Sequence, residues 1–493
     1  MSQETTQATE SEFDIRKQKL TTYKEKNINP FAYEFNRSHV INDAVALGHG
    51  LSAGDKTDHV VRICGRLKAK RGHGKAIFAN LTDETNTIQL YASVNDLESF
   101  EQFELLDIGD IIGVEGTIFS TRRGELSVHI QSFSLLTKSL HPLPEKYHGL
   151  QDKEARYRRR YVDLIANPDV MEAFKKRSHI IKDIRDYLSD QGFMEVETPV
   201  LHHIYGGAAA RPFTTHHNEL KQNLYLRIAL ELHLKRLIVG GFEKIFEIGR
   251  VFRNEGVSFK HNPEYTLLEL YQAYADYSDM MTLTEQLLHH LVTQTYNSET
   301  IEYQGEPLQF SLPFKRIRMK DAILEHAGID IESATTTDMI EKLKTHGHAY
   351  STDTPKGELI NELYDTFVEH QLIQPTFIID YPVETSPLAK KNRHNPAYVE
   401  RFELIINKME IANAFTELND PIDQKERFED QQKAKAAGVE DAHEMDNDFI
   451  EALSYGMPPT GGLGIGIDRI VMLLTNAASI RDVIFFPHLK HLT

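Results

Sequence analysis

The chain has 493 residues, 40% hydrophobic and 26% charged. That is too long for one ordinary core and normal in composition for a soluble globular protein, so two or three domains are expected. A net charge of −18 argues against nucleic-acid binding by bulk charge, though not against a basic face on one domain. The single cysteine, Cys64, excludes an intrachain disulfide framework and a cysteine-based zinc site. The opening residues, Met-Ser-Gln-Glu-Thr-Thr-Gln, lack the basic and apolar regions of a signal peptide. No apolar run is long enough to span a bilayer, and a cytoplasmic location is expected.

Residues 1–11 are polar and read as disordered. Ser11 can cap a helix running to about Lys26, which Asn29-Pro30 ends. With a short helix near Asn42 to Leu47, residues 1–58 form a helical extension. From His59 the texture becomes strand and turn. His59 to Leu67, Ala76 to Asp83, Thr87 to Ser93, Ile111 to Ser120 and Glu125 to Leu136 are five candidate strands, and a helical segment, Asn95 to Glu104, separates the third from the fourth. That order predicts a five-stranded OB-fold β-barrel over 59–138. Lys68, Lys70, Arg71, His73 and Lys75 cluster after the first strand, and Phe78 and Gln89 fall on the next two. Basic residues with an aromatic on an OB face suit single-stranded nucleic acid. A solvated hairpin with a core phenylalanine is the other reading.

Residues 139–165 read as a linker, marked by Pro142, Pro144 and Gly149. Within it Arg156-Tyr-Arg-Arg-Arg-Tyr161 reads mostly as an exposed helix face. From Val170 to Asp190 the apolar residues Phe174, Ile180, Ile181, Ile184, Tyr187 and Leu188 recur at helical spacing, and Gly192 follows as a C′ residue. A strand from Phe193 to Thr198 stops at Pro199. Gly206, Gly207 and three alanines then allow close backbone approach to a ligand or another chain. A strand, Leu224 to Ile228, and a helix, Glu231 to Val239, follow.

The stretch from Lys244 to Tyr271 reads as strand, charged loop, strand. Tyr265, Leu267, Glu269 and Tyr271 alternate onto one face, an unlikely face to bury in plain core. Arg253 and His261, paired across the loop, would make a phosphate clamp. Beyond lie a helix from Ser278 to Tyr296, a mixed insertion over 297–345, a helix over 356–372, and a buried strand, Thr376 to Tyr381. A strand pair, Arg401 to Asn407 and Glu410 to Leu418, carries Glu403, Glu410 and Glu417. After a charged helix, Pro421 to Gly438, a glycine-rich strand from Gly461 enters an apolar helix with Arg469 in its first turn.

That glycine run has neither the setting of a dinucleotide fingerprint nor a P-loop lysine. It leaves a bare backbone for a flat ligand or for tight helix–strand packing. Glu403 and Glu410 can hold Mg²⁺ together with substrate phosphates; a salt-bridged pair is the alternative. No Cys/His spacing supports zinc, and no serine nucleophile elbow is present.

Three motifs carry a resemblance. Gly192-Phe-Met-Glu-Val-Glu-Thr-Pro199 with its preceding helix, Phe252-Arg-Asn-Glu255 with His261, and Gly464-Ile-Gly-Ile-Asp-Arg469 resemble motifs 1, 2 and 3 of class II aminoacyl-tRNA synthetases. The N-terminal OB domain is similar to that of the subgroup for lysine, aspartate and asparagine. Gly206-Gly-Ala-Ala-Ala-Arg-Pro-Phe213, His216-His217, Arg227-Ile-Ala-Leu-Glu-Leu232, His261-Asn-Pro-Glu264, Glu269-Leu-Tyr271 and Asn413-Ala-Phe-Thr-Glu-Leu-Asn419 resemble the lysyl-tRNA synthetase family, over nearly the whole chain from about residue 12. The resemblance implies an α+β protein, the OB barrel followed by a catalytic domain at 166–493 on a mostly antiparallel sheet flanked by helices. It implies ATP-dependent lysine activation, transfer to tRNA(Lys), and a homodimer through motif 1.

The residue types agree. Glu231, Glu269 and Glu417 with Tyr271 and Phe415 make an acidic, aromatic pocket suited to a cationic side chain. By motif, Glu231 would bind the α-amino group, and Glu269, Tyr271 and Glu417 the ε-ammonium. Gly207, Asn413 and Phe415 would line the lysine site. Arg253 would grip the α-phosphate and the substrate carboxylate. Glu255 would meet the adenine amino group, with Tyr265 stacked on adenine opposite Arg469. His261 and Arg469 would reach the terminal phosphates, and Glu403 and Glu410 would bind Mg²⁺, Glu410 also touching ATP. Arg71, Phe78, Gln89 and Glu125 are the anticodon candidates. Leu230 stands where the family often has proline, and Lys408-Met409 replaces a Gly/Arg pairing; both are expected to affect local loop geometry only.

Overall fold

A computed structural model describes residues 11–144, 150–436 and 443–490. The readings made of residues 1–10, Gly149 and Gly438 fall outside the described residues, as does the side chain of His73. The chain divides into two units, 1–151 and 152–493.

In the first unit, Ser11 caps the helix Glu12–Glu25 by accepting from the Asp14 amide, and a short helix spans Ile41–Ala46. Five strands, Lys56–His73, Ala76–Thr82, Thr87–Ser93, Ile111–Ser120 and Leu126–Thr137, close into a barrel in the order one, two, three, five, four. The first strand continues through the basic cluster, past the expected end at Leu67, because residues to His73 pair with the second strand. The helix between strands three and four covers only Phe100–Glu104. The Ser93 carbonyl accepts from the Asp96 and Leu97 amides, so the chain turns there first. Alternation fills the barrel: Ile77, Ala79 and Leu81 point inward with Ile88, Leu90, Val114 and Val128.

The second unit is built on an eight-stranded sheet. Its spatial order is Lys315–Arg318, Thr376–Pro382, Tyr398–Ile406, Met409–Thr416, Thr460–Gly466, Glu264–Ala273, Lys244–Phe252 and Met194–Glu195. The interior pairs are antiparallel, and only the two edge strands pair in parallel. Lys315–Arg318 therefore belongs to the main sheet, although it lies in the stretch read as a separate insertion. The strand expected over Phe193 to Thr198 shrinks to two residues, enough to pair with Ile245 and Phe246. One face of the sheet packs on the helices Pro168–Asp190, Tyr277–Tyr296 and Ile467–Thr475, through Ile184, Leu188, Leu268, Leu270, Leu288 and Val471.

The basic run at 156–161 is a correction. It forms two short helices, Lys153–Arg158 and Arg160–Ala166, and Arg160 is buried, 1% exposed. Its guanidinium donates to Asp163 at 2.6 Å and to the carbonyls of Arg481 and Phe485. Burial suits an arginine whose donors all find acceptors. Among the described residues, no helix is long and apolar enough to cross a membrane.

Candidate active site

Behind the sheet face opposite that core lies a cavity of about 940 Å³. Strand alternation supplies much of its wall. On Glu264–Ala273, Thr266, Leu268 and Leu270 are buried away from it, while Tyr265, Leu267, Glu269 and Tyr271 line it. The neighbouring strands add Asn413, Phe415, Gly462 and Gly464. A side chain at Gly462 would collide with Glu417 and Tyr271, and one at Gly461 would strike Met280 on the core side. The glycine run thus serves both expected purposes, bare backbone toward the cavity and close packing behind it. Gly207, at φ +86°, has room for no Cβ beside Ala229 and Glu231.

One end of the cavity is acidic. Glu231, Glu269, Glu417 and Tyr271 are all buried. Glu269 accepts from the Leu230 amide at 3.0 Å and from the Tyr271 hydroxyl at 3.1 Å. Burial, reinforced by Glu231, pushes its carboxyl up to about 7. Burial also raises Glu417 and Glu231, opposed in each by Lys235. Lys235 itself is fully buried, and its ammonium bonds Glu231 and Glu417. Burial works against its charge, but the two carboxylates outweigh that and hold its pKa above the ordinary value. The Leu230 contact corrects the expectation of a purely local change, since proline has no amide hydrogen to donate.

The other end is basic. Arg253 donates to the Ile228 carbonyl at 3.3 Å and stands 5.5 Å from the Tyr265 ring centre. Arg469 donates to the Glu410 carbonyl, and its other arm lies 3.4 Å from His261 Nε2. Burial, with the charges of Arg469 and Lys260, holds His261 below the ordinary imidazole range. Ser258 Oγ lies 2.9 Å from His261 Nδ1 and accepts from the Lys260 and His261 amides, each at 3.1 Å, which fixes the ring's place at the cavity. Glu255 is exposed at the cavity mouth.

Glu410 lines the cavity, whereas Glu403 sits behind it, held by Arg401 at 2.6 Å. Burial and then Glu410 push the Glu403 carboxyl up to about 7, against the pull of Arg401. Two oxygen donors that repel each other fit a divalent cation, which would relieve that repulsion.

Sequence reasoning missed several charged residues here, Arg401 and Lys235 among them. Arg401 donates to Asn413 at 3.2 Å and stacks over Tyr381 and Phe415. Its strand alternation with Glu403 was the available signal. Lys235 lies one helical turn after Glu231, a spacing that pairs side chains.

On the barrel, Phe78 is not core: its ring lies outside, 5.1 Å from Tyr91, which also neighbours Phe119 and His129. Gln89 is on the same sheet face and accepts from Ser127 at 2.9 Å. Arg71 pairs in register with Phe78. Glu125 is exposed at the turn before the last strand. Lys70, in contrast, turns to the Glu104 and Leu106 carbonyls. Tyr91, Phe119 and His129 had gone unremarked in the sequence.

Residues 152–490 match the family model described as tRNA synthetases class II (D, K and N), and residues 61–136 match the OB-fold nucleic acid binding domain. A lysine–tRNA ligase of Carboxydothermus hydrogenoformans is 55% identical over 97% of both chains. Those of Bacillus anthracis and Lysinibacillus sphaericus are 53% and 52% identical over the same shares. The chain belongs to the class II lysine–tRNA ligases. In this lysine–tRNA ligase one cavity has an acidic end, at Glu231, Glu269 and Glu417, and a basic end, at Arg253 and Arg469.

Proposed function

We propose that this lysine–tRNA ligase activates L-lysine with ATP in the cavity bounded by Glu231, Glu269 and Glu417 at one end and Arg253 and Arg469 at the other, then charges tRNA(Lys). The observation that carries the reading is the trio of buried glutamates around Tyr271. A buried carboxylate cluster favours a cation of matching charge and rejects neutral or acidic side chains. ATP–pyrophosphate exchange measured across all twenty amino acids tests it; exchange with aspartate or asparagine equal to that with lysine would refute it.

The first step joins the lysine carboxylate to the ATP α-phosphorus and releases pyrophosphate. The nucleophile is already ionised, so no protein base is required. The chain's work is positioning and charge neutralisation. Glu231 holds the α-ammonium, Glu269, Tyr271 and Glu417 the ε-ammonium, with Gly207, Asn413 and Phe415 shaping the site. Arg253 grips the substrate carboxylate and α-phosphate, and His261 and Arg469 the outer phosphates. Tyr265 stacks on adenine and Glu255 meets its amino group. Glu410, with Glu403 behind it, would hold Mg²⁺, which supplies charge neutralisation to the triphosphate. In the second step the tRNA 3′-terminal hydroxyl attacks the lysyl-adenylate carbonyl and AMP leaves.

Arg71, Phe78, Gln89 and Glu125 are assigned to the anticodon, by stacking and hydrogen bonding to unpaired bases. A homodimer through the helix and strand of motif 1 is assigned from the family resemblance; light scattering giving twice the chain mass of 56.5 kDa is the expected result. A cytoplasmic location is inferred alongside that role.

A further inference from the structure

Lys235 is an odd neighbour for a cationic substrate. It is 0% exposed and does not line the cavity, yet its ammonium bonds Glu231 on its own helix and Glu417 at the end of the strand across the pocket. Burying an ammonium is costly unless its partners repay it. A pocket meant only to attract cations would do better without a fixed one.

The free enzyme supplies the reason. Glu231, Glu269 and Glu417 are all buried; Glu231 raises the pKa of both others, and Glu269 raises that of Glu417. Three such carboxylates cannot all stay ionised unaided; some would take up protons and lose their hold on an ammonium. Lys235 opposes that protonation at two of the three: burial still leaves Glu231 and Glu417 above the ordinary carboxyl value, and the ammonium bonded to both pulls each back down. Charge counting agrees. With all three ionised, the state that binds an ammonium, three carboxylates against one resident ammonium leave two negative charges, and lysine brings two ammonium groups, α and ε. Among the described residues, the other charged or titratable groups facing this cluster are Tyr271 from the adjoining strand, Arg401 beyond Glu231, Arg253 beyond Glu269, and His443, whose ring burial and then Lys235 keep neutral.

We propose that Lys235 is a positioning residue that fixes the charge of the amino-acid pocket at the value complementary to a dication, and so helps set selection for lysine. This rests on the assignment of the glutamates to the substrate ammoniums. Acting through Glu231 and Glu417, Lys235 never touches the substrate.

The test is Lys235→Met, close in length and without charge, with KM for lysine and for ATP measured by pyrophosphate exchange at pH 7.0 and pH 8.5. At pH 7.0 the lysine KM should rise about twentyfold while the ATP KM changes by less than about threefold, and the deficit against the parent enzyme should shrink about fivefold at pH 8.5 as the carboxylates ionise again. A lysine KM within about threefold of the parent, a matching rise for ATP, or a deficit that pH leaves unchanged would reduce Lys235 to scaffold and overturn the proposal. Glu269→Gln is the control for the assignment beneath it. If it leaves the lysine KM alone, the pocket reading fails; if it raises that KM and Lys235→Met does not, only the present inference fails. Should Lys235→Met not fold by circular dichroism, Lys235→Gln is measured against the same outcomes. Unfolding of both variants also counts against the proposal.

Discussion

Arg177 Nη1 lies 2.5 Å from Asp468 Oδ1, and both side chains are buried. The pair ties together the three segments that carry the class II motifs. Arg177 sits on the helix of motif 1, its second arm donates to Thr266 Oγ1 at 3.1 Å, and Asp468 Oδ2 accepts from the Thr266 amide at 2.7 Å. Asp468 immediately precedes Arg469, so the ion pair fixes the first helical turn that aims Arg469 at the cavity. Removing one partner of a buried pair leaves the other uncompensated. Asp468→Ala should therefore cost roughly 3–5 kcal/mol of stability, read by chemical denaturation, and pyrophosphate exchange should fall with it. Unfolding midpoints equal to the parent's would show that the pair does not hold the motifs together.

Much of the fold was legible because the sequence repeats its periods cleanly. The two-residue period of Tyr265 to Tyr271 separates cavity from core without any knowledge of the partner strands. Ser11 and Gly192 mark helix ends by local chemistry alone. What escaped reading depends on partners far along the chain. Arg160 is buried because the segment around Arg481 to Phe485 offers carbonyls. Lys235 looks like one more helix-surface lysine until Glu417 arrives across the pocket. Lys408 takes a left-handed conformation, φ +63°, and its carbonyl is taken by Lys260.

Arg253 carries the charge nearest the proposed seat of reaction. Arg253→Ala should cut pyrophosphate exchange severely while leaving the fold intact, because its one acceptor among the described residues is a carbonyl at 3.3 Å. An oriented charge of this kind contributes about 3–4 kcal/mol to a transition state, or on the order of a hundredfold to a thousandfold in rate. Near-normal exchange would remove it from the mechanism.

Lysine binding should depend on pH through Glu269. Its folded carboxyl titrates at about 7, above the ordinary value of about 4.3. Between these values the folded protein binds the extra proton, so the group favours the folded state at low pH, and that contribution is lost as pH rises through 7. Substrate binding has the opposite sign, because an ammonium needs the carboxylate. The lysine KM should rise up to about tenfold per pH unit below pH 7, and that limb should be absent from Glu269→Gln, whose lysine KM is high throughout. A flat profile in the parent enzyme contradicts the assignment.

Leu230 offers a finer adjustment of the same group. It precedes the first residue of the helix Glu231–Val239, where proline breaks no helical hydrogen bond. The Leu230 amide instead donates to Glu269 and pulls the carboxyl pKa down. Leu230→Pro removes that donor. The acid limb of the lysine KM profile should move upward by about half to one pH unit, the equivalent of one hydrogen bond worth ~1 kcal/mol, with the ATP KM unchanged. An unmoved limb would mean that water replaces the amide.

The barrel face should act on tRNA alone. Phe78 presents its ring beside Tyr91 on the outer surface, and nothing in the core depends on it: Ile77 and Ala79 on either side fill the barrel instead. A base stacked on such a ring contributes about 1–3 kcal/mol. Phe78→Ala should raise the KM for tRNA(Lys) by roughly tenfold to a hundredfold without changing pyrophosphate exchange, which needs no tRNA. Gln89→Ala should weaken tRNA less, since one of its acceptor positions is already taken by Ser127. A Phe78 variant that charges tRNA(Lys) with the parent's KM would move the anticodon contact to another part of the barrel, with Tyr91 and His129 the next residues to substitute.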